Sequence, residues 1–499
     1  MGNMSSRPSS PRVHRERTSS KAESAVKGGR SRGASSGDAS PVRTDEDVSV
    51  HVGHIPTRSI LLTLKPNDPL DNPFLKNRMA LTGDTDRLLI VMVGLPARGK
   101  SLISHKLEAF LNWRGITARV FSVGQARRKG GFSKANTPAS FFNGDMAIAA
   151  SVRELVAMDT LTLALDWLDE GHPRQDPDKR ARVGIFDATN STPKRRAAIS
   201  AAAAERGASV VFLESVCSDV HVIKRNMLVK VHNSPDYAGM GEKEAIVDLT
   251  QRIDLYEEKY ETLQDAEGAF IRLYDLNSKV STHNIFGRMS KRVLPFLLAM
   301  HFWPRPITLL ATPPDDHEDL VGFVNDVLRT MGSLSFRESN RLCRPTAKLQ
   351  LFASTHAAAT TLAAAIAAEG HWPIEVSHMP ALNAAAVHEG PVGFTERVGG
   401  ADSYADQVGR LESVLLDIEA SMQPVLVLAP PTPLRLLRAY LLGLDVASSM
   451  HAASAPGAAA LDGTAKAMLE FDISPTGQAT ERVTPLSSIT LKVDLAGAA

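Results

Sequence analysis

The stretch Gly94-Leu-Pro-Ala-Arg-Gly-Lys-Ser101 constrains this chain more than any other feature. Two glycines, then lysine and a hydroxyl residue, form the pattern of a loop that wraps phosphate. Its flanks suit that role. Leu88 to Val93 is a short apolar run of the kind that makes a buried strand of a parallel sheet. After the loop, Leu102, Ile103, Leu107 and Leu111 recur at helical spacing. Strand, glycine loop and helix together aim backbone N–H groups and the positive end of a helix at phosphate oxygens. Gly94, Leu95, Pro96, Ala97, Arg98 and Gly99 then cradle the phosphates. Lys100 reaches the β- and γ-phosphates, and Ser101 offers its hydroxyl to Mg²⁺. The loop predicts a nucleoside triphosphate ligand.

The chain's 499 residues allow two or three domains, each with its own core. A hydrophobic fraction of 43% and a net charge of +1 describe an ordinary globular protein and argue against a dedicated nucleic-acid binder. No apolar run has the length of a membrane span. Cys217 and Cys343 are the only cysteines, too few for a disulfide framework, so a reducing, cytoplasmic compartment is expected. The histidines lack the paired spacing of a zinc site.

Residues 1 to 52, rich in Ser, Arg, Gly and Pro, read as a disordered basic tail. From 53 to 303, apolar runs alternate with helical segments, the pattern of an α/β nucleotide-binding domain with a parallel sheet. Val183 to Asp187 and Val210 to Glu214 read as buried strands around a helix at Pro193 to Arg206. The Pro304–Pro306 join marks a boundary, and a second α/β domain fills 304–499. Its expected strands are Ile307–Leu310, Leu349–Phe352, Val425–Leu428 and Ser488–Val493, with helices at Ala357–Glu369 and Leu434–Leu444.

Asp187 closes an apolar strand, where a carboxylate can hold Mg²⁺ at the sheet's carboxyl edge. The alternative is a helix N-cap. Arg98, Arg127, Arg128, Arg195 and Arg196 fall at loop and helix ends, suited to bidentate capture of a second phosphate. The residues by themselves indicate a Mg²⁺- and ATP-dependent kinase with an anionic acceptor.

Further segments carry a resemblance: Leu111-Asn-Trp-Arg-Gly, Phe121-Ser-Val-Gly-Gln-Ala-Arg-Arg128, Asp187-Ala-Thr-Asn-Ser-Thr, Glu214-Ser-Val-Cys217, Ser234-Pro-Asp-Tyr237 and Arg252-Ile-Asp-Leu-Tyr256. With the phosphate loop, in this order and spacing, they resemble the kinase domain of the 6-phosphofructo-2-kinase/fructose-2,6-bisphosphatase family. The resemblance implies transfer of the ATP γ-phosphoryl to the 2-hydroxyl of fructose 6-phosphate. It implies roles for Lys100 and Asp187 in catalysis and for Ser101 and Asp187 at Mg²⁺. Asn226 falls beside adenine, and Arg127, Arg153, Thr189, Arg195, Lys230, Arg252 and Tyr256 fall on the sugar phosphate. Cys217 matches a family active-site position, yet a lone cysteine after a strand also reads as a small buried apolar group, and no nucleophile is expected of it. One position departs. Val231 stands where the family has a lysine, with Lys230 beside it, and a register shift in a strand there would exchange their faces.

The family's second half has the histidine-phosphatase fold and opens on Arg-His-Gly. Here those positions fall on Ala311, Thr312 and Pro313; a further arginine falls near Ala358 and a second histidine near Pro430. His356 is the one nearby imidazole, out of place. The second domain is therefore expected to keep its fold without phosphatase activity. Two rival readings stand: a kinase of another phosphorylated small molecule, and a nucleotide-binding regulatory or scaffold protein. Oligomeric state, a homodimer included, is not given by the sequence. Met1-Gly2-Asn3-Met4-Ser5-Ser6 fits the myristoylation pattern, and the basic run from Arg7 to Arg32 could add weak membrane attraction. A solvated arm on a cytosolic enzyme is the default expectation.

Overall fold

The computed structural model describes residues 87–129, 147–170, 181–275, 278–301, 304–313, 320–333, 337, 348–369, 373–384, 393–451, 456–461, 467–474 and 479–486. The tail with Gly2, the strand expected at Ser488–Val493 and Cys343 lie outside these residues.

Among the described residues the chain builds two six-stranded sheets. The first runs in the order β2 (Thr117–Ser122), β3 (Arg182–Asp187), β1 (Arg87–Val93), β4 (Ser209–Val216), β5 (Phe270–Tyr274), β6 (Lys279–His283). All pairs are parallel except the β5–β6 edge. β1 is central and apolar from Leu88 to Val93, since both of its faces are covered. Its residues alternate: Leu88, Ile90 and Met92 enter one cluster, Leu89, Val91 and Val93 another on the opposite face.

The second sheet has the order β12 (Ala479–Pro485), β11 (Ala467–Ile473), β7 (Pro306–Ala311), β10 (Val425–Ala429), β8 (Leu349–Ala353), β9 (Ile374–His378). β7, β10, β8 and β9 are parallel, and the β11–β12 hairpin adds to β7 antiparallel. The expected helix at 357–369 spans Ala357–Glu369, and the one expected at Leu434–Leu444 begins earlier, spanning Pro431–Leu442.

The two sheets share one core. Ile307, Leu309, Val425, Val427, Leu469 and Phe471 of the second sheet join the same cluster as Leu88, Ile90 and Met92 of the first. Between them lie side chains of Lys100–Trp113, Arg288–Ala299, Tyr404–Ala420 and Pro431–Leu442, among them Phe110, Phe296, Leu411 and Leu437. Each half also keeps a cluster of its own, around Val91, Leu165 and Phe212 in the first and Leu351, Leu362 and Leu428 in the second, so the expected separate cores stand beside a shared one.

Candidate functional site

The phosphate loop leaves the carboxyl end of β1 and sits beside the end of β3, because those strands pair in register from Arg87↔Arg182 to Val91↔Phe186. Carboxyl ends of parallel strands are where ligands bind in open α/β sheets. The loop is held from several sides. Gly94 N–H donates to the Thr189 carbonyl at 3.0 Å, Ser215 Oγ to the Arg98 carbonyl at 2.5 Å, and Asn226 Nδ2 to the Ala97 carbonyl at 3.1 Å. Gly94 has φ +136°, and a Cβ there would lie 2.6 Å from the Ser215 carbonyl oxygen. Only glycine meets that demand. Gly99, at φ +82°, caps the helix Lys100–Trp113, and Ala97 takes the left-handed region at φ +59°.

The loop opens into a cavity of about 640 Å³. Pro96, Ala97, Arg98, Gly99, Lys100 and Ser101 line it, as do Asp187, Thr189, Asn226, Arg127, Arg153, Arg195, Lys230, Arg252 and Tyr256. Gly94, Leu95 and Cys217 are outside the lining. Leu95 acts through its carbonyl, which accepts from Lys100 Nζ at 2.6 Å. Cys217 is buried, its sulfur 4.0 Å from the Asp219 carbonyl, and burial pushes its thiol up, against nucleophilic use.

Ser101 Oγ donates to Asp187 Oδ2 at 2.8 Å, and Ser122 Oγ reaches the same oxygen at 3.3 Å. Asp187 is not a helix cap. Thr192 caps the following helix, its side chain accepting from Arg195 N–H at 3.3 Å. A hydroxyl and one carboxylate converging below a phosphate loop are hard oxygen donors, the set that suits Mg²⁺ when phosphates and water complete the shell. The residues fit that ion.

Lys100 is buried, and its pKa falls to about 8 through burial, opposed by Asp187 and helped by Arg98 and Arg252. Lys230 falls further, to about 7, through burial and then through Arg252 and Lys100. The segment around Lys230 is a helix, Val220–Asn233, and not a strand. Consecutive residues there point about 100° apart. Lys230 lines the cavity, while Val231 packs with Met227, Tyr237, Leu249 and Ile253.

Sequence reading missed the residue that organises the guanidiniums. Buried Asp236 Oδ2 lies 2.6 Å from Arg127, 3.6 Å from Arg128 and 3.7 Å from Arg252. Burial would raise this carboxyl, but Arg127, Arg252 and Arg128 more than offset it and hold it below its ordinary value. The signal was its place between Ser234-Pro235 and Tyr237 in an otherwise basic site. Glu154, also in the lining, pairs with Arg195. Asp187, by contrast, accepts from two hydroxyls. Arg196, read as part of the basic set, is turned away. It is fully buried against Glu267 at 2.5 Å and carries structure instead.

The 6-phosphofructo-2-kinase family profile matches residues 76–304. The 6-phosphofructo-2-kinase/fructose-2,6-bisphosphatase of Aquarana catesbeiana is 31% identical over 386 residues, covering 71% of this chain and 77% of its own length. The enzyme of that name from Arabidopsis thaliana is 32% identical, covering 71% of this chain and 49% of its own. The 6-phosphofructo-2-kinase 1 of Saccharomyces cerevisiae is 37% identical over 47% of this chain and 28% of its own length. Among solved structures, a mycobacterial glucosyl-3-phosphoglycerate phosphatase covers 36% of this chain and 97% of its own, at 14% identity and a TM-score of 0.23. Phosphate loop, paired Ser101 and Asp187, and a match that runs into the second sheet agree: the chain belongs to the 6-phosphofructo-2-kinase/fructose-2,6-bisphosphatase family.

Proposed function

We propose that this protein transfers the γ-phosphoryl group of ATP to the 2-hydroxyl of fructose 6-phosphate, giving fructose 2,6-bisphosphate and ADP. One observation carries the reading. A single cavity is lined both by the phosphate loop and by Arg127, Arg153, Arg195 and Arg252, so two phosphorylated molecules can meet there. Phosphoryl transfer asks mainly for positioning and charge stabilisation. Backbone N–H groups of the loop bind the triphosphate, and Lys100 leaves the Leu95 carbonyl to follow the migrating group. The arginines and Lys230 hold the sugar phosphate, with Tyr256 and Thr189 beside them. The acceptor oxygen bonds to the γ-phosphorus as the bridge to ADP breaks, and the hydroxyl proton is released. Ser101 and Asp187 would hold Mg²⁺, whose charge would offset that of the triphosphate.

The second sheet is proposed to lack bisphosphatase activity. Thr312 and Pro430 follow β7 and β10, and Ala358 is buried in the helix after β8. None can supply the imidazole or guanidinium that phosphoryl-histidine chemistry needs. Residues 53–303 and 304–499 are proposed as kinase and phosphatase-like halves of a cytoplasmic enzyme.

Purified full-length protein incubated with Mg²⁺, ATP and fructose 6-phosphate tests both points, with products resolved by phosphorus NMR. Stoichiometric fructose 2,6-bisphosphate and ADP are expected, with no phosphate release when purified bisphosphate is supplied. Lys100→Met should lower kcat at least about 10²-fold. Near-normal turnover by that variant sinks the mechanism.

A further inference from the structure

We propose that Glu419, in the second half of the chain, is a positioning residue for the phosphate loop, acting through Lys106. The inference rests on the reading of Gly94–Ser101 as the ATP site.

The helix Lys100–Trp113 starts at the loop and ends inside the second half. Its 14 residues are one rigid rod, about 20 Å long at 1.5 Å per residue. Lys106 lies less than two turns from Lys100, and its Nζ donates to Glu419 Oε2 at 2.6 Å. Both side chains are almost fully buried, at 6% and 1% exposure. Glu419 is on Tyr404–Ala420, 313 positions away in sequence. Its other oxygen accepts from Tyr440 Oη at 2.8 Å, and Arg305 is 3.7 Å away.

Three further contacts hold the far end of the rod. Trp113 Nε1 donates to the Leu436 carbonyl at 2.8 Å, and Arg114 pairs with Glu412 at 3.2 Å. At Gly115, which turns the chain with φ +76°, a Cβ would lie 2.3 Å from the Phe394 ring. On the first-sheet side Glu108 accepts from Val120 N–H and Asn112 exchanges two hydrogen bonds with Ala118, so the rod's axial position and rotation are set from both halves.

Hydrophobic contacts alone tolerate sliding, because burial is non-directional. A buried charged hydrogen bond does not, since leaving either partner unpaired in a dry interior is strongly unfavourable. The Lys106–Glu419 bond is thus the buried charged restraint that the second half adds to the rod's setting, and Lys100 and Ser101, on its first turn, inherit that setting. Catalysis is sensitive to such settings: misplacement by about 1 Å can cost about 10²-fold in rate. A second sheet without its own chemistry would then still be required for the kinase reaction.

Lys106→Met in the full chain tests this, since Glu419 retains Tyr440 and Arg305. Three quantities are measured: steady-state kinetics, affinity for a fluorescent ATP analogue with Mg²⁺, and hydrogen exchange of Gly94–Ser101 without nucleotide. The expected result is kcat lowered about tenfold, KM for fructose 6-phosphate within about twofold, faster exchange in the loop, and recovery of most activity by Lys106→Arg. Folded Lys106→Met with wild-type kcat and unchanged loop exchange overturns the proposal. If Lys106→Met does not fold, Glu419→Gln decides, because it keeps the shape of the side chain and an acceptor for Tyr440 while removing the charge that Lys106 meets. It should speed loop exchange two- to threefold, and no change there overturns the proposal as well. A wild-type chain that binds no MgATP would refute the ATP site reading instead, and the exchange data would still judge Glu419.

Discussion

Lys230 shares its corner of the cavity with Arg252, Lys100, Asp187 and Asp236, and burial with two like charges brings its pKa to about 7. The group is a cation below that pH and neutral above it, the reverse of a surface lysine at pH 8. In the free enzyme, then, one positive charge leaves the acceptor region as pH rises through 7. We expect KM for fructose 6-phosphate to climb between pH 7 and 8.5, and Lys230→Met to raise KM at pH 6.5 and abolish that climb. A pH profile of kcat/KM for both proteins checks this; an identical alkaline limb in the variant would assign the titration to another group. The residue types of this site were open to sequence reading because each motif binds charge in a fixed order. The choice between Lys230 and Val231 was not, because it depends on whether the backbone is helix or strand. Asp236 was passed over for a related reason: a carboxylate among arginines makes sense only once distant segments are seen to converge on it.

At the scale of elements, β1 and its loop act as a unit in which backbone shape precedes side-chain chemistry. Gly94→Ala would drive a Cβ into the Ser215 carbonyl at 2.6 Å, in a backbone region with φ +136°. Strain of this kind is on the order of 1–3 kcal/mol, and it falls on the loop itself. The variant should bind MgATP at least tenfold more weakly while keeping its circular dichroism spectrum; titration with a fluorescent ATP analogue measures it, and unchanged affinity would remove the requirement for glycine. Strands buried on both faces, such as β1, β3, β4, β7 and β10, were legible as apolar runs between turn signals. β11 was not. Ala467-Met-Leu-Glu-Phe-Asp-Ile473 is built partly from good helix formers, and only its pairing with β7 and β12 makes it a strand. β5, β6 and β9 have five residues each, and β6, β9 and β12 are partly exposed edge strands, a pattern that does not separate from loops.

For the whole molecule, the polar links between the two sheets set a response to acid. His301 Nε2–H donates to the Ser421 carbonyl at 2.5 Å, and burial, then Arg305, lowers its pKa to about 4. Below pH 6.5 the unfolded chain takes up a proton that the folded imidazole refuses until about pH 4. Stability must fall across that window, by about 2 kcal/mol between pH 6.5 and 5 at 1.36 kcal/mol per pH unit. Urea unfolding at pH 7 and 5 should reveal the loss, and His301→Gln should shed most of its share. An equal slope in the variant would place the acid sensitivity elsewhere. The shared core was invisible in the sequence, where the Pro304–Pro306 join reads as a seam between independent halves. It also separates two kinds of position under mutation. Thr312 and Pro430 stand at strand tips, whereas Ile307, Leu309, Val425 and Val427 face the interior that both sheets use. Exchange at a tip opens no hole behind the phosphate loop; exchange in the interior does. A lineage can therefore discard the second sheet's reactive groups in a few steps and still be unable to discard the sheet, because its loss would leave Trp113, Phe110 and Phe296 facing water.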